Sequence, residues 1–285
     1  MTFLELQNSY QTKYSKKIAN NLTILQRLIF HNSDLVKSSV DLISYRNHEI
    51  DFDVKKFHKQ FDDYFFEFKP IEYIVKSAQF FNLEFYVNTN VLIPRIDTEI
   101  VLKKFIRAVK KIGDQKPQIL DLCTGSGCLA IVLARVFQNG NIYGSDIDNK
   151  CLNVANKNKK NHHVNNLQFI QANFLDVLNE IDTKIDYVIC NPPYIDLKDP
   201  EIRDSVKKYE PKKALYAKKC GLDFYIEFAK YLIEKKWKPK VCCFEFGYNQ
   251  KAEIKQIFAS LQSDYRLAFF KDDNEIDRGV LLIRK

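Results

Sequence analysis

The sequence predicts an α/β fold: a mostly parallel, seven-stranded sheet with one antiparallel strand, preceded by a small helical domain. Three observations carry that expectation. From about residue 117, apolar runs of strand length alternate with segments of helical periodicity, the pattern of a parallel sheet covered on both faces. The first 75 residues contain no glycine and repeat apolar positions at helical spacing. The last two strand-like runs stand too close together for a helical crossover, so they must pair antiparallel.

In residues 1–75, Leu22, Leu25, Leu28 and Ile29 share one helical stripe, and Leu35, Val36, Val40 and Ile43 a second. Asn32, Ser33 and Asp34 read as a break and cap between two helices. The helical domain is expected to end near Pro70. Residues 76–95 turn aromatic and β-branched around Asn-Leu and Asn-Thr-Asn breaks, which reads as a β-hairpin linker. An amphipathic helix follows from Asp97 to Lys111. The expected strands are then 118–122, 141–145, 167–171, 185–190, 240–246, 265–271 and 279–284. The expected helices between them are 129–137, 150–160, 222–235 and 251–261, with a long loop after residue 190.

Composition narrows the class. Hydrophobic residues make up 46% of 285, enough for a true core. The seven cysteines are odd in number and include no C-x-x-C pair, so they read as free thiols in a reducing compartment with no metal site. The N-terminus lacks the order of a signal peptide, and no apolar run reaches membrane-spanning length. A cytoplasmic protein without a membrane partner is expected. The net charge of +8 comes from scattered rather than clustered lysines, which argues against direct nucleic-acid binding. None of the five histidines falls in a catalytic context.

The run Ile119-Leu120-Asp121-Leu122-Cys123-Thr124-Gly125-Ser126-Gly127-Cys128 is a strand entering a glycine-rich turn and then a helix. Gly125 and Gly127 allow close backbone approach and a tight turn. A ligand there lies at the carboxyl edge of the sheet, against a helix N-terminus. Asp146 ends the next strand and can accept hydrogen bonds from both ribose hydroxyls of an adenosine. This pairing leaves two cofactors open, a nicotinamide dinucleotide or S-adenosylmethionine.

Asn191-Pro192-Pro193-Tyr194 ends a later buried strand. The prolines stiffen the loop and restrict the residue before them. A planar NH2 group is a poor nucleophile because its lone pair is delocalised. Two acceptors aimed at its two N–H groups favour a geometry with more lone-pair character. The Asn191 side-chain oxygen and the Pro192 carbonyl can supply them, while Tyr194 packs against the planar group. Such a loop has no use in nicotinamide chemistry, so the cofactor reading moves to S-adenosylmethionine.

With these motifs in place, the sequence resembles the HemK/PrmC family of release-factor glutamine methyltransferases across nearly the whole catalytic region. Val91-Leu92-Ile93-Pro94-Arg95-Ile96-Asp97-Thr98-Glu99 is similar to the family's V-L-I-P-R-P-E-T-E. Asp121 to Gly127 is similar to its first motif, and Asn191 to Tyr194 to its substrate motif. Tyr209-Glu210-Pro211, Gly221-Leu222-Asp223, Phe244-Glu245-Phe246-Gly247-Tyr248 and Asp277-Arg278 resemble further family stretches. The resemblance implies a class I S-adenosylmethionine-dependent methyltransferase with a Rossmann-like sheet. It implies that Cys123, Thr124, Gly125, Ser126 and Gly127 wrap the cofactor's amino-acid portion, that Asp146 holds the ribose, and that Asn173 and Phe174 lie against adenine. Asn191, Pro192, Pro193 and Tyr194 would bind a glutamine, with Asn191, Pro192 and Tyr194 catalytic and Asn191 also touching the cofactor. The implied partner is a peptide chain release factor, recognised by residues 1–75 and offering a glutamine in a glycine-flanked loop. Several positions depart from the family pattern: Cys123, Lys76 and Asn82 stand where glycine is usual, Ile96-Asp97 replaces Pro-Glu, and Phe174 stands where tryptophan is also found.

Three alternatives remain. A related family methylates a glutamine of a ribosomal protein and shares the N-P-P-Y loop; Thr98-Glu99 after Pro94-Arg95 favours the release-factor branch. An adenine-N6 nucleic-acid methyltransferase presents the same planar NH2, but it must extract its base and usually carries a large recognition domain or a basic face. A non-enzymatic nucleoside-binding scaffold would have no use for two acceptors aimed at an NH2.

Overall fold

The computed structural model describes residues 1–14, 21–181 and 184–285, so residues 15–20 of the expected helical domain lie outside the described residues. The chain divides into two compact units, Met1–Ser77 and Ala78–Lys285.

The first unit is helical: α1 (Phe3–Lys13), α2 (Leu22–Asn32), α3 (Ser39–Ser44), α4 (Val54–Phe65) and α5 (Ile71–Val75). Thr2 opens α1 with a reciprocal cap. Its hydroxyl accepts from the Glu5 N–H at 3.2 Å, and the Glu5 carboxylate accepts from the Thr2 N–H at 2.8 Å. Asp53 caps α4 by accepting from the Lys55 N–H. Phe57, Phe61 and Phe65 recur one turn apart on α4 and enter a core with Phe3, Leu6, Leu25, Leu28 and Ile29.

Two sequence expectations fail in this unit. The break at Asn32 is real, but the second stripe is only partly a core face: Val36 is fully buried, whereas Val40 and Ile43 are 72% and 70% exposed, and Leu35 is exposed as well. Only a short helix forms there, capped by Ser38 rather than by Ser33 or Asp34. Pro70 does not end the helical unit. It caps α5, as a residue without an N–H can before a first helical turn.

The second unit begins within a hairpin, β1 (Ser77–Phe80) and β2 (Leu83–Tyr86), which starts at the boundary residue Ser77 and is followed by α6 (Ile96–Ile112). Phe80 and Phe85 are buried in the same core as Val101, Leu102 and Phe105 of α6, so the hairpin packs as part of this unit. Asp97 and Glu99 lie in the first turn of α6 and Lys110 and Lys111 in the last, matching the helix dipole, and Gly113 ends the helix in the left-handed region.

There follow β3 (Gln118–Leu122), α7 (Cys128–Val136), β4 (Asn141–Asp146), α8 (Asn149–Asn161), β5 (Leu167–Gln171), β6 (Tyr187–Cys190), β7 (Ile195–Asp196), β8 (Tyr216–Ala217), α9 (Asp223–Glu234), β9 (Val241–Glu245), α10 (Lys251–Ile257), β10 (Tyr265–Lys271) and β11 (Asp277–Arg284). The seven-stranded sheet has the order β10-β11-β9-β6-β3-β4-β5. Only β11 runs antiparallel to its neighbours, as the sequence predicts. Successive residues feed opposite faces. Ile119, Tyr187, Ile189, Val241 and Cys243 enter the core beneath α6 and α7, and Leu120, Val188, Cys190, Cys242 and Phe244 enter the core beneath α9. The segment after β6 is not a plain loop. It contains the parallel pair β7–β8 and the short helices Asp204–Tyr209 and Lys212–Leu215.

Candidate active site

The carboxyl ends of β3, β4, β5 and β6 converge on a cavity of about 500 Å³. Cys123, Gly125, Asp146, Asn173, Phe174, Asn191 and Pro193 line it. Thr124, Ser126 and Gly127 do not; they shape the turn from behind. The Thr124 hydroxyl donates to the Asp121 carboxyl at 2.5 Å, and the Ser126 carbonyl accepts from Asn158 at 2.9 Å. Gly127 adopts φ +80°, and a Cβ there would meet the Phe169 ring at 2.8 Å and Ala155 at 3.1 Å. Its role is close packing of helix on sheet.

Asp146 braces the turn. Its two oxygens accept from the N–H groups of Gly125 and Asp148, each at 3.0 Å. Burial raises its carboxyl above the ordinary value, although those two bonds pull it down. Asp121, behind the turn, is fully buried, and its Oδ1 has no hydrogen-bond partner. Burial pushes its pKa up to about 7. Phe174 packs against Phe224 with ring centroids 4.5 Å apart, forming an apolar wall.

A second cavity, of about 450 Å³, lies beside the first. Pro192, Tyr194, Arg95, Asp97, Glu201 and Arg203 line it, and Leu92, Asn191 and Ala214 line both. The Asn191-Pro192-Pro193-Tyr194 segment thus divides between the two, with Asn191 in the shared wall.

The loop is held from beneath. Asn191 Nδ2 donates to Thr98 Oγ1 at 3.1 Å, so Oδ1 is the amide atom left to accept. The Tyr194 hydroxyl donates to Glu245 Oε1 at 3.0 Å, and the Tyr194 carbonyl accepts from Gln250 at 2.9 Å. Glu245 is fully buried at the end of β9. Burial pushes its pKa up to about 6 against the opposing pull of Thr98, Tyr194 and Arg278. Arg95 reaches the buried carboxylate of Glu210 at 2.5 Å.

The sequence reading gave no role to Arg95, Asp97, Thr98, Glu201, Arg203, Glu210, Glu245 or Gln250. One signal was available: Glu245 is a charge closing the all-apolar run Val241-Cys242-Cys243-Phe244. Three positions where glycine had been the family's usual residue have a shared cause. Cys123, Lys76 and Asn82 adopt φ of +56°, +56° and +59°, the left-handed region that glycine enters most easily.

The first cavity suits S-adenosylmethionine by its donor set. A partly buried carboxylate, Asp146, stands at the end of β4, Phe174 adds an aromatic wall, and open space lies over the Gly125 Cα, where nothing approaches a built Cβ closer than 4.0 Å.

Comparison with known proteins agrees with the fold. A family model described as a methyltransferase domain matches residues 114–262. The chain is 39% identical over 215 residues to the release factor glutamine methyltransferase of Mycoplasma mycoides subsp. mycoides, covering 75% of this chain and 76% of that protein. It is 35% identical to the protein of the same name from Staphylococcus aureus, over 74% of this chain and 75% of that one. Among solved structures, the hMettl16 catalytic domain in complex with a MAT2A 3'UTR hairpin superposes with a TM-score of 0.56 at 17% identity, over 71% of this chain and 75% of that chain. That likeness concerns the fold alone.

Proposed function

Starting from a chain that belongs to the release factor glutamine methyltransferase family, and is thereby an S-adenosylmethionine-dependent glutamine methyltransferase, we propose that it methylates the side-chain amide nitrogen (N5) of a glutamine in a peptide chain release factor. The glutamine is presented in a mobile, glycine-flanked loop, because a side chain reaches a pocket at a sheet edge only when its backbone can approach closely. The observation that carries this reading is the position of Asn191 in the wall between two cavities, its Nδ2 engaged by Thr98 and its Oδ1 left to accept.

The cofactor supplies an electrophilic methyl on a sulfonium. Asp146, Gly125, Asn173 and Phe174 would hold it, and the chain's remaining work is on the glutamine. Asn191 Oδ1 and the Pro192 carbonyl would accept the two amide N–H groups and hold the nitrogen for transfer. Tyr194, tied to Glu245, packs against the amide plane. Transfer would break the C–S bond, leave a neutral thioether and make the nitrogen acidic, so its proton would pass to solvent without a strong base.

Met1–Ser77 serves to recognise the protein partner and takes little part in the chemistry. Its glycine-free helical composition supplies no cofactor loop. An enzyme acting on translation factors works in the cytoplasm; among the described residues no helix is long and apolar enough to cross a membrane.

The test is tandem mass spectrometry of a purified bacterial release factor after incubation with enzyme and cofactor. One methyl on the glutamine side-chain nitrogen is expected. A methyl on a ribosomal protein, on adenine or on lysine, with none on the release factor, would overturn the assignment.

A further inference from the structure

Beneath the acceptor loop lies a buried polar chain with a fixed direction. Asn191 Nδ2 donates to Thr98 Oγ1 at 3.1 Å, and Thr98 is 3% exposed. A hydroxyl carries one proton, and since Thr98 receives from Asn191, that proton must go to another acceptor. Glu245, whose Oε2 lacks a partner and whose pKa Thr98 lowers, is the buried carboxyl open to that proton. The same carboxyl receives the Tyr194 hydroxyl at 3.0 Å, while the Tyr225 hydroxyl donates to the Glu245 carbonyl at 2.6 Å and holds its backbone in place. Glu245 Oε2 has no partner that meets hydrogen-bond geometry, and the residue is 1% exposed. An incompletely satisfied buried carboxyl is costly to keep, and nothing in the packing of the strand requires one: Val241, Cys242, Cys243 and Phe244 are apolar.

We propose that Thr98 and Glu245 are positioning residues that decide which end of the Asn191 amide faces the acceptor cavity. An ionised carboxylate accepts and cannot donate. It draws the Thr98 proton away from Asn191, so Thr98 offers Asn191 only a lone pair. The amide then turns its NH2 toward Thr98 and its oxygen toward the substrate. If the Thr98 proton pointed at Asn191 instead, the amide would turn over and set an NH2 against the substrate's NH2, donor against donor. The same carboxylate fixes Tyr194, so one buried group orients both ends of the loop. This inference rests on the reading of Asn191 as acceptor for a planar NH2.

Three variants test it, assayed on a purified bacterial release factor, with cofactor affinity by calorimetry and folding by thermal melts. Thr98→Val removes the hydroxyl at nearly constant shape, Thr98→Ser keeps it, and Glu245→Gln keeps the shape but turns one acceptor into a donor. Thr98→Val and Glu245→Gln are expected to lose about tenfold or more in kcat, with KM for the release factor and cofactor affinity within about twofold, because the lost alignment acts in the transition state. Thr98→Ser should recover most of the loss. A wild-type kcat in Thr98→Val overturns the proposal, as does an equal loss in the Val and Ser variants, which would mean packing alone. Should Glu245→Gln fail to fold, the Thr98 pair still decides. A wild-type enzyme that binds cofactor but leaves the release factor unmethylated overturns the acceptor reading itself, and the inference with it.

Discussion

The guanidinium of Arg95 and the carboxylate of Glu210, 115 positions apart in the chain, form an ion pair at 2.5 Å. Glu210 also accepts from the Ile93 N–H at 3.3 Å. Its side chain is 1% exposed and that of Arg95 36%. The pair joins the segment entering α6 to the segment after β7, and Arg95 faces the second cavity. Arg95→Ala leaves a buried carboxylate with one backbone donor. It should lower stability by about 2 kcal/mol, less than a fully buried pair would lose, because Arg95 is partly solvated. Urea unfolding measures this, and an unchanged midpoint would show the pair contributes nothing.

Asp146→Ala should weaken cofactor binding about ten- to a hundredfold, the loss of a charge-assisted acceptor of roughly 1.5–3 kcal/mol. It removes any contact to the ribose and the brace on the Gly125 N–H together. Calorimetry on the folded variant reads the affinity. Unchanged binding would place the ribose elsewhere.

Asp121→Asn should flatten the pH dependence of stability. Burial raises the Asp121 pKa to about 7, above its unfolded value. A carboxyl shifted in that direction contributes fully only below its unfolded value, and the contribution is lost as pH rises from there through the folded value. Asparagine keeps the shape and can still accept from Thr124, but it does not ionise. Between about pH 5 and pH 8 the wild type should lose roughly 3 kcal/mol relative to the variant. Parallel curves for the two proteins would contradict this.

Lys76→Gly should stabilise the protein. Lys76 ends α5 at φ 56°, ψ 34° and is exposed. A side chain in that region costs about 1 kcal/mol, and glycine relieves it at some loss of unfolded-state entropy. A gain of about 0.5–1 kcal/mol is expected in denaturant unfolding; a loss would mean that the lysine side chain contributes more than its backbone strain costs.

A chain beginning at Ala78 should bind cofactor with near wild-type affinity and methylate a full-length release factor poorly. The second unit contains both cavities and both sheet cores. Equal turnover by the truncated and complete proteins would remove the recognition role from Met1–Ser77.

The sheet was legible because its signal is local. Strands 118–122, 167–171 and 265–271 coincide with continuous or alternating apolar runs, and a buried strand needs little beyond its own residues to declare itself. The N-P-P-Y motif stood out for a similar reason, as its four residues are consecutive and close a buried strand. The second cavity did not. Arg95, Glu201 and Arg203 come from separate segments that only tertiary folding brings together. The stripe through Val40 and Ile43 misled because helical spacing reports a common face without saying whether anything covers it. Glu245 went unassigned because its meaning lies in a partner, Tyr194, from a distant segment.

Asn191 donates one amide hydrogen to Thr98 and Pro192 has no N–H, so on the proposed reading these two positions offer the glutamine nitrogen two acceptors. An unmodified glutamine brings two N–H groups and satisfies both acceptors. Its product brings one, and the new methyl lies where the second hydrogen had been. One oxygen is then left dry, the nitrogen is no longer held in line, and the modified side chain leaves more readily than the substrate it came from. The proposed acceptor pair thus counts hydrogens and favours a single methyl.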